Sequence, residues 1–219
     1  MNHAVASPAL STKDRILDAA ERLLARKQFE ATSLREITAE ADVNLAAVNY
    51  HFHSKEALIR AVIARRIGPV NVQRLAMLDA IEADAGAGPL PIGGVIETFI
   101  RPVIELRGTT KNIAPLMGRV FAESAEFLEH FFREHLAEVT ERFLAAFGRA
   151  VPLLPREEVF WRTHFLIGSM AHTMIAGEFF QVITDGLCRA DDVDGLMRRM
   201  IAVFTAAFQA PWEEVGDEG

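Results

Sequence analysis

Between Asp42 and Lys55 the sequence gathers amide, phenol, imidazole and ammonium groups, on Asn44, Asn49, Tyr50, His51 and Lys55, around a helix of about two turns. Val43 and Val48 are apolar anchors for that stretch, and Phe52 closes it. Asn44 is placed to cap its first turn, because a short polar oxygen accepts from the amide hydrogens that a helix start leaves unused. Ser54 is placed to cap the helix that follows, with Glu56 in a first turn that favours negative charge. A helix this short is marginal in water. Neighbouring elements must therefore hold it while its polar face stays outside, which is the pattern of a recognition helix.

Other residues that could carry chemistry are few. Glu126, His130 and Glu134 lie one turn apart and share a helix face. A carboxylate-bridged dimetal site needs paired Glu-x-x-His motifs on separate helices, so this face reads more simply as solvated. The sequence contains no zinc-type Cys/His cluster, phosphate-binding loop or nucleophile motif. We therefore expect no catalytic residues, metal or cofactor. A helical-bundle enzyme is the rival reading, and a constitutive DNA-binding protein without an effector is a third.

With 219 residues, half of them hydrophobic, the chain can bury a substantial core as one large or two small domains. The single cysteine, Cys188, excludes an internal disulfide framework and suggests a reducing compartment. Lys13, Asp14 and Arg15 fall where a signal peptide needs its apolar core. No uninterrupted apolar run is long enough for a bilayer, so the expectation is a cytoplasmic protein without a membrane partner. Net charge is -7, unevenly distributed. Residues 1–66 hold 10 Lys/Arg against 8 Asp/Glu, and the remainder holds 13 against 22. A mildly basic head on an acidic body suits a protein whose head alone meets nucleic acid.

The elements around the polar stretch follow from spacing. Residues 1–10 read as a disordered lead. Ser11 and Asp14 form a weak capping box, and Ile16, Leu17, Ala20, Leu23 and Leu24 recur on one face of a first helix ending near Lys27. Gln28 occupies a position where a left-handed glycine is common. Ser33 and Glu36 make a stronger capping box for a second short helix whose buried stripe is Leu34, Ile37 and Ala41. Asp42 marks the tight turn, since Asp tolerates left-handed backbone better than most residues. Two short helices joined in this way form a helix-turn-helix, in which the second enters the major groove.

Residues 12–60 resemble the N-terminal domain of the TetR/AcrR family of bacterial transcriptional regulators. The resemblance rests on Ile16-Leu17-Asp18-Ala19-Ala20, on Phe29 to Ile37, and above all on Asn49-Tyr50-His51-Phe52-His53-Ser54-Lys55-Glu56-Ala57-Leu58. The departures are Gln28, Asp42 and His53, all at turns. The resemblance implies phosphate contacts from Tyr50, His51, Lys55 and the hydroxyl-bearing start of the second helix, Thr32 or Ser33. It leaves base reading to Asn44, Ala46, Ala47 and Asn49, with Arg35 a further candidate for a guanine edge or a phosphate. Asparagine can bond adenine twice, and alanine can pack on a thymine methyl. The run from Val43 to Ile59, with the Gly68-Pro69 pair after it, is similar to the branch that represses fatty-acid-degradation genes. That similarity implies a long-chain fatty acid effector.

The whole chain is thus expected to be all-α. Residues 1–66 form a three-helix DNA-binding domain, and 67–219 form a helical effector-binding and dimerisation domain. From Ser54 a long helix should run to Arg66, with Gly68-Pro69 breaking or kinking it. Further helices are expected near 96–104, 113–125, 127–147, 157–185 and 193–208. The 157–185 helix carries Trp161, Phe165, Ser169, His172, Ala176 and Phe179 on one side and His164, Ile167, Ala171, Met174 and Ile175 on the other. A helix apolar around most of its circumference is buried on more than one side. The family resemblance implies that this helix and the last one pair with a second subunit, beside the pocket. Arg119, Arg162 and His172 are cations or donors on apolar helices and, with Phe165, are the candidate contacts to a small apolar or amphipathic effector. The expected partners are such an effector, a second copy of the chain and a palindromic double-stranded operator, whose half-sites match the two-fold axis.

Overall fold

The computed structural model describes residues 10–109, 112–120, 123–189 and 191–212, with the backbone alone at 107–109. The disordered lead expected over residues 1–10 lies almost wholly outside them. Among the described residues every regular element is a helix. The chain divides into two compact units, Met1–Arg66 and Ile67–Gly219.

In the first unit α1 (Thr12–Leu24), α2 (Leu34–Ala41), α3 (Leu45–Phe52) and the start of α4 (Lys55–Ala85) enclose a small core. Ile16, Ala20, Leu24, Phe29, Ile37, Val48, Phe52, Leu58 and Val62 are all buried there. The expected caps form. Ser11 Oγ accepts from the Asp14 amide, Ser33 and Glu36 make a full capping box, Asn44 Oδ1 accepts from the Ala47 amide, and Ser54 Oγ accepts from the Ala57 amide. Asp42 turns left-handed with φ of 52°. Gln28 does not, because α1 ends in a right-handed turn in which the Ala25 and Lys27 amides bond back to Glu21 and Leu23.

The second unit contains α5 (Ile92–Thr109), α6 (Ile113–Val120), α7 (Ala125–His135), α8 (Ala137–Ala150), α9 (Arg156–Ile183) and α10 (Val193–Gln209). Its core centres on aromatic rings. Phe99 meets Phe143 edge-on at 5.0 Å, and Phe147 stacks on Phe208 at 4.8 Å. Two expectations are corrected. Of the break or kink expected at Gly68-Pro69 the break does not occur: α4 runs through both residues and on through Val70 to Ala85; a proline removes one ladder hydrogen bond, and the flanking turns can carry that loss. The single helix expected over 127–147 is two, parted at Leu136, whose φ of -121° is off the helical value. Leu136 packs against the core, and no glycine or proline marks the break.

By length and composition α9 is apolar enough to cross a bilayer, although Arg162, His164 and Glu178 interrupt it. Its inward residues Val159, Thr163, Leu166, Met170, Met174 and Gly177 are buried in the unit's core. Trp161, Phe165, Phe179 and Ile183 are exposed, the phenylalanines by 57% and 67%. These positions recur at helical spacing, so α9 has one covered face and one open apolar stripe.

Candidate nucleic-acid interface

Val48 and Phe52 point α3 into the core, which leaves Asn44, Leu45, Ala46, Asn49 and Tyr50 exposed along one outer face. Tyr50 is 79% exposed, a burial state unusual for tyrosine unless its ring has a partner elsewhere. Its ring stands edge-on to His51, 5.1 Å away, which limits its orientations. Ala47 and His51 are half-buried at the edge of this face. Asn44 Oδ1 is engaged by the helix cap, so its amide hydrogens are what it offers outward. Asn49 is exposed on this face, and an exposed asparagine amide can make two bonds to adenine.

The half-buried Lys55 donates to the carbonyl oxygen of Glu30 at 3.0 Å. An ammonium has three donors, so this bond orients Nζ and leaves two donors for a phosphate. Arg35 is exposed on α2. Around it the acidic groups of the head are largely matched: Glu40 by Arg22 at 2.9 Å and Glu36 by Lys27 at 2.5 Å. The Lys27 bond, helped by the Ser33 amide and hydroxyl, holds the Glu36 carboxyl down to about 2. Glu36 is thus a fixed anion, and Lys27 is spent on it.

The start of α2 differs from expectation. Thr32 is fully buried, and its hydroxyl donates to the Gln28 carbonyl at 3.0 Å, which removes it from the surface set. Ser33 is exposed, but its hydroxyl donates to Glu36 within the capping box. Neither hydroxyl is presented outward. Leu45 and His53 are exposed beside the polar face, and neither was among the expected DNA contacts. His53 carries a φ of 66°, so it forms the turn between α3 and α4 where a residue without a side chain is common.

The four effector candidates are not gathered. Arg162 donates to the carbonyl oxygens of Ala207, Phe208 and Ala210 and pairs with Glu158, so its guanidinium caps the end of α10 and is consumed there. That capping use of a cation is favoured at a helix C-terminus. Arg119 donates to the Pro115 carbonyl in its own helix. Phe165 lies on the open stripe of α9. His172 is exposed and borders a surface hollow of about 360 Å³ with Phe180, Cys188 and Arg199. Sequence reasoning missed Arg74, a buried arginine in the core of the second unit. Its signal was a lone cation at helical spacing between the buried Val70 and Leu78.

Residues 16–62 match the model of bacterial regulatory proteins of the tetR family, and residues 97–207 match the tetracyclin repressor-like C-terminal domain. Over 55 residues the chain is 42% identical to YttP of Bacillus subtilis, described as a probable HTH-type transcriptional regulator, covering 25% of this chain and 27% of that protein. The chain spans between 27% and 41% of the length of the curated relatives it matches. Among solved structures, the fatty acid degradation regulator FadR from Bacillus halodurans aligns with a TM-score of 0.66 at 11% identity, over 94% of this chain and all of the other. FadR from Bacillus subtilis, in complex with stearoyl-CoA, aligns with a TM-score of 0.57 at 14% identity, over 89% and 98% of the two chains. At these identities the likeness is one of fold.

Proposed function

The chain belongs to the TetR family of bacterial transcriptional regulators, DNA-binding proteins and not enzymes, with a ligand-binding C-terminal domain; on that premise we propose that it is a repressor released from its operator by an amphipathic effector. It acts as a homodimer on a palindrome. The observation that carries this reading is the outer face of α3, where Asn49 and Tyr50 stand exposed on a helix held from behind by Val48 and Phe52. Asn49, Ala46 and Ala47 read base edges, with the amide hydrogens of Asn44 beside them. Tyr50, His51, Lys55 and Arg35 meet phosphates. At the start of α2 the phosphate meets backbone amides and not the Thr32 or Ser33 hydroxyls, since helix N-termini bind anions through their free N–H groups.

The second copy covers the open stripe of α9, Trp161, Phe165, Phe179 and Ile183, together with the neighbouring surface of α10. Contiguous exposed apolar residues of this kind mark an interaction surface. The domain division is residues 1–66 for DNA and 67–219 for effector and dimer. Two observations support a lipid effector, a long-chain fatty acid or acyl derivative. One is the likeness of residues 43–59 to the fatty-acid-responsive branch. The other is the shared fold with two FadR proteins, one of them bound to stearoyl-CoA.

Release works by population shift. The effector favours a dimer whose recognition helices no longer match the groove spacing, and it moves that equilibrium only by its difference in affinity for the two states. The test is fluorescence polarisation of a bound operator fragment, titrated with hexadecanoate and with stearoyl-CoA. Loss of the complex with either supports the repressor reading. A complex unchanged by saturating amounts of both discards the lipid effector.

A further inference from the structure

Arg74 is a buried cation whose described partners include no carboxylate. It projects from α4 into the core of the second unit. Nε donates to the Phe99 carbonyl oxygen at 2.7 Å, Nη1 reaches Asn71 Oδ1 at 3.5 Å, and Nη2 meets the Met170 sulfur at 3.9 Å. The guanidinium lies over the Phe99 ring, 4.3 Å from its centroid. A guanidinium has five N–H donors, and only the Nε bond is a good one. Burial pushes its pKa down to about 9, which leaves it charged at neutral pH.

Part of this arrangement is structural. The Arg74 Nε bond to the Phe99 carbonyl ties α4 to α5, one residue from Thr98, whose carbonyl loses its ladder donor at Pro102. A neutral donor would do the same. An uncompensated buried charge is strongly unfavourable, so the charge itself is unexplained by the clamp. Among the described residues the Nη edge has only the long contact to Asn71 Oδ1 and the Met170 thioether, a weak acceptor. On the same face of α9, seven residues before Met170, Thr163 holds a buried hydroxyl without a hydrogen-bond partner. Met170 and Met174 line that face, and methionine is the apolar side chain that changes shape most readily.

We propose that Arg74 is the anion-binding centre of the effector site, receiving the carboxylate or phosphate of a ligand whose apolar body lies along Leu166, Met170 and Met174. The oxyanion takes the Nη edge as Met170 turns aside, in the forked geometry that suits guanidinium to both head groups. The proposal rests on the reading that this unit binds an amphipathic effector, and it adds the charge class and the residue that recognises it.

Calorimetric titration of the full chain with decanoate, decyl phosphate and decan-1-ol tests it, repeated on R74M and R74K. The wild-type protein should bind decanoate or decyl phosphate about tenfold or more tightly than the alcohol. The stronger of the two anions identifies the head group. R74M should bind all three alike, and R74K, which keeps the charge without the fork, should fall between. R74M should melt close to wild type, since removal of an unpaired buried charge offsets loss of the Nε bond to the Phe99 carbonyl. If R74M does not fold, the wild-type head-group series and R74K still decide. Equal wild-type binding of alcohol and anions, or a preference that survives in R74M or is undiminished in R74K, overturns the role of Arg74 and leaves the effector reading standing. No binding of any probe to a folded wild-type chain overturns both.

Discussion

Glu21 on α1 accepts both arms of the Arg66 guanidinium, Nε at 2.9 Å and Nη2 at 2.8 Å. Arg65 joins the same carboxylate at 2.8 Å and reaches Asp18 at 2.7 Å. The third turn of α4 is therefore fastened to α1 through a carboxylate that is only 5% exposed. Any motion of residues 55–66 must carry α1 of the helix-turn-helix unit with it.

Replacing Glu21 by Gln should destabilise the first unit by about 2 kcal/mol, below the ~3–5 kcal/mol of a fully buried pair because both arginines keep some water contact. Equilibrium denaturation measures it; a change under about 0.5 kcal/mol would show the network to be ornamental.

The same carboxylate predicts a pH dependence. Burial raises the Glu21 pKa, but the hydrogen bonds and charges of Arg66 and Arg65 outweigh this and hold it below the ordinary 4.5. A depressed folded value stabilises the protein above the unfolded pKa, and that stability is lost as pH falls through the folded one. Melting temperature should thus drop below about pH 4.5 more steeply in wild type than in E21Q. Parallel profiles would contradict the assignment.

The contacts proposed for DNA separate by their response to salt and sequence. K55A should weaken binding to all sequences and reduce the slope of log affinity against log salt by about 1. N49A should instead relax preference at one base pair, costing about 1–3 kcal/mol there. If N49A leaves the preferred sequence unchanged, Asn49 does not read bases.

The open stripe of α9 predicts the oligomeric state. Sedimentation should find the wild-type chain as a dimer, and F165E/F179E as a folded monomer with much weaker operator binding. A double variant that remains dimeric would move the interface elsewhere.

Much of the head was legible because short polar side chains at Ser11, Ser33, Asn44 and Ser54 announce helix starts through local hydrogen bonds, and each one forms. Asp42 was legible for the same reason, as a residue that accepts left-handed backbone. Burial was harder. Thr32 and Ser33 are neighbours of similar chemistry, yet one is sealed in the core and the other lies at the surface. In the body, Arg162 read as a cation free to meet a ligand, because its partners are carbonyls some 45 residues away, at the end of another helix. Arg74 was overlooked for the converse reason: whether an arginine reaches solvent depends on what packs over it. The division at Leu136 left no signal in residue type.

The most direct test of the central claim is selection of bound sequences from a random duplex pool by the purified protein. A single enriched palindrome, with half-sites spaced by about one helical turn or a related distance, is the predicted result. A folded dimer that enriches no sequence would contradict the reading of α3 as a recognition helix.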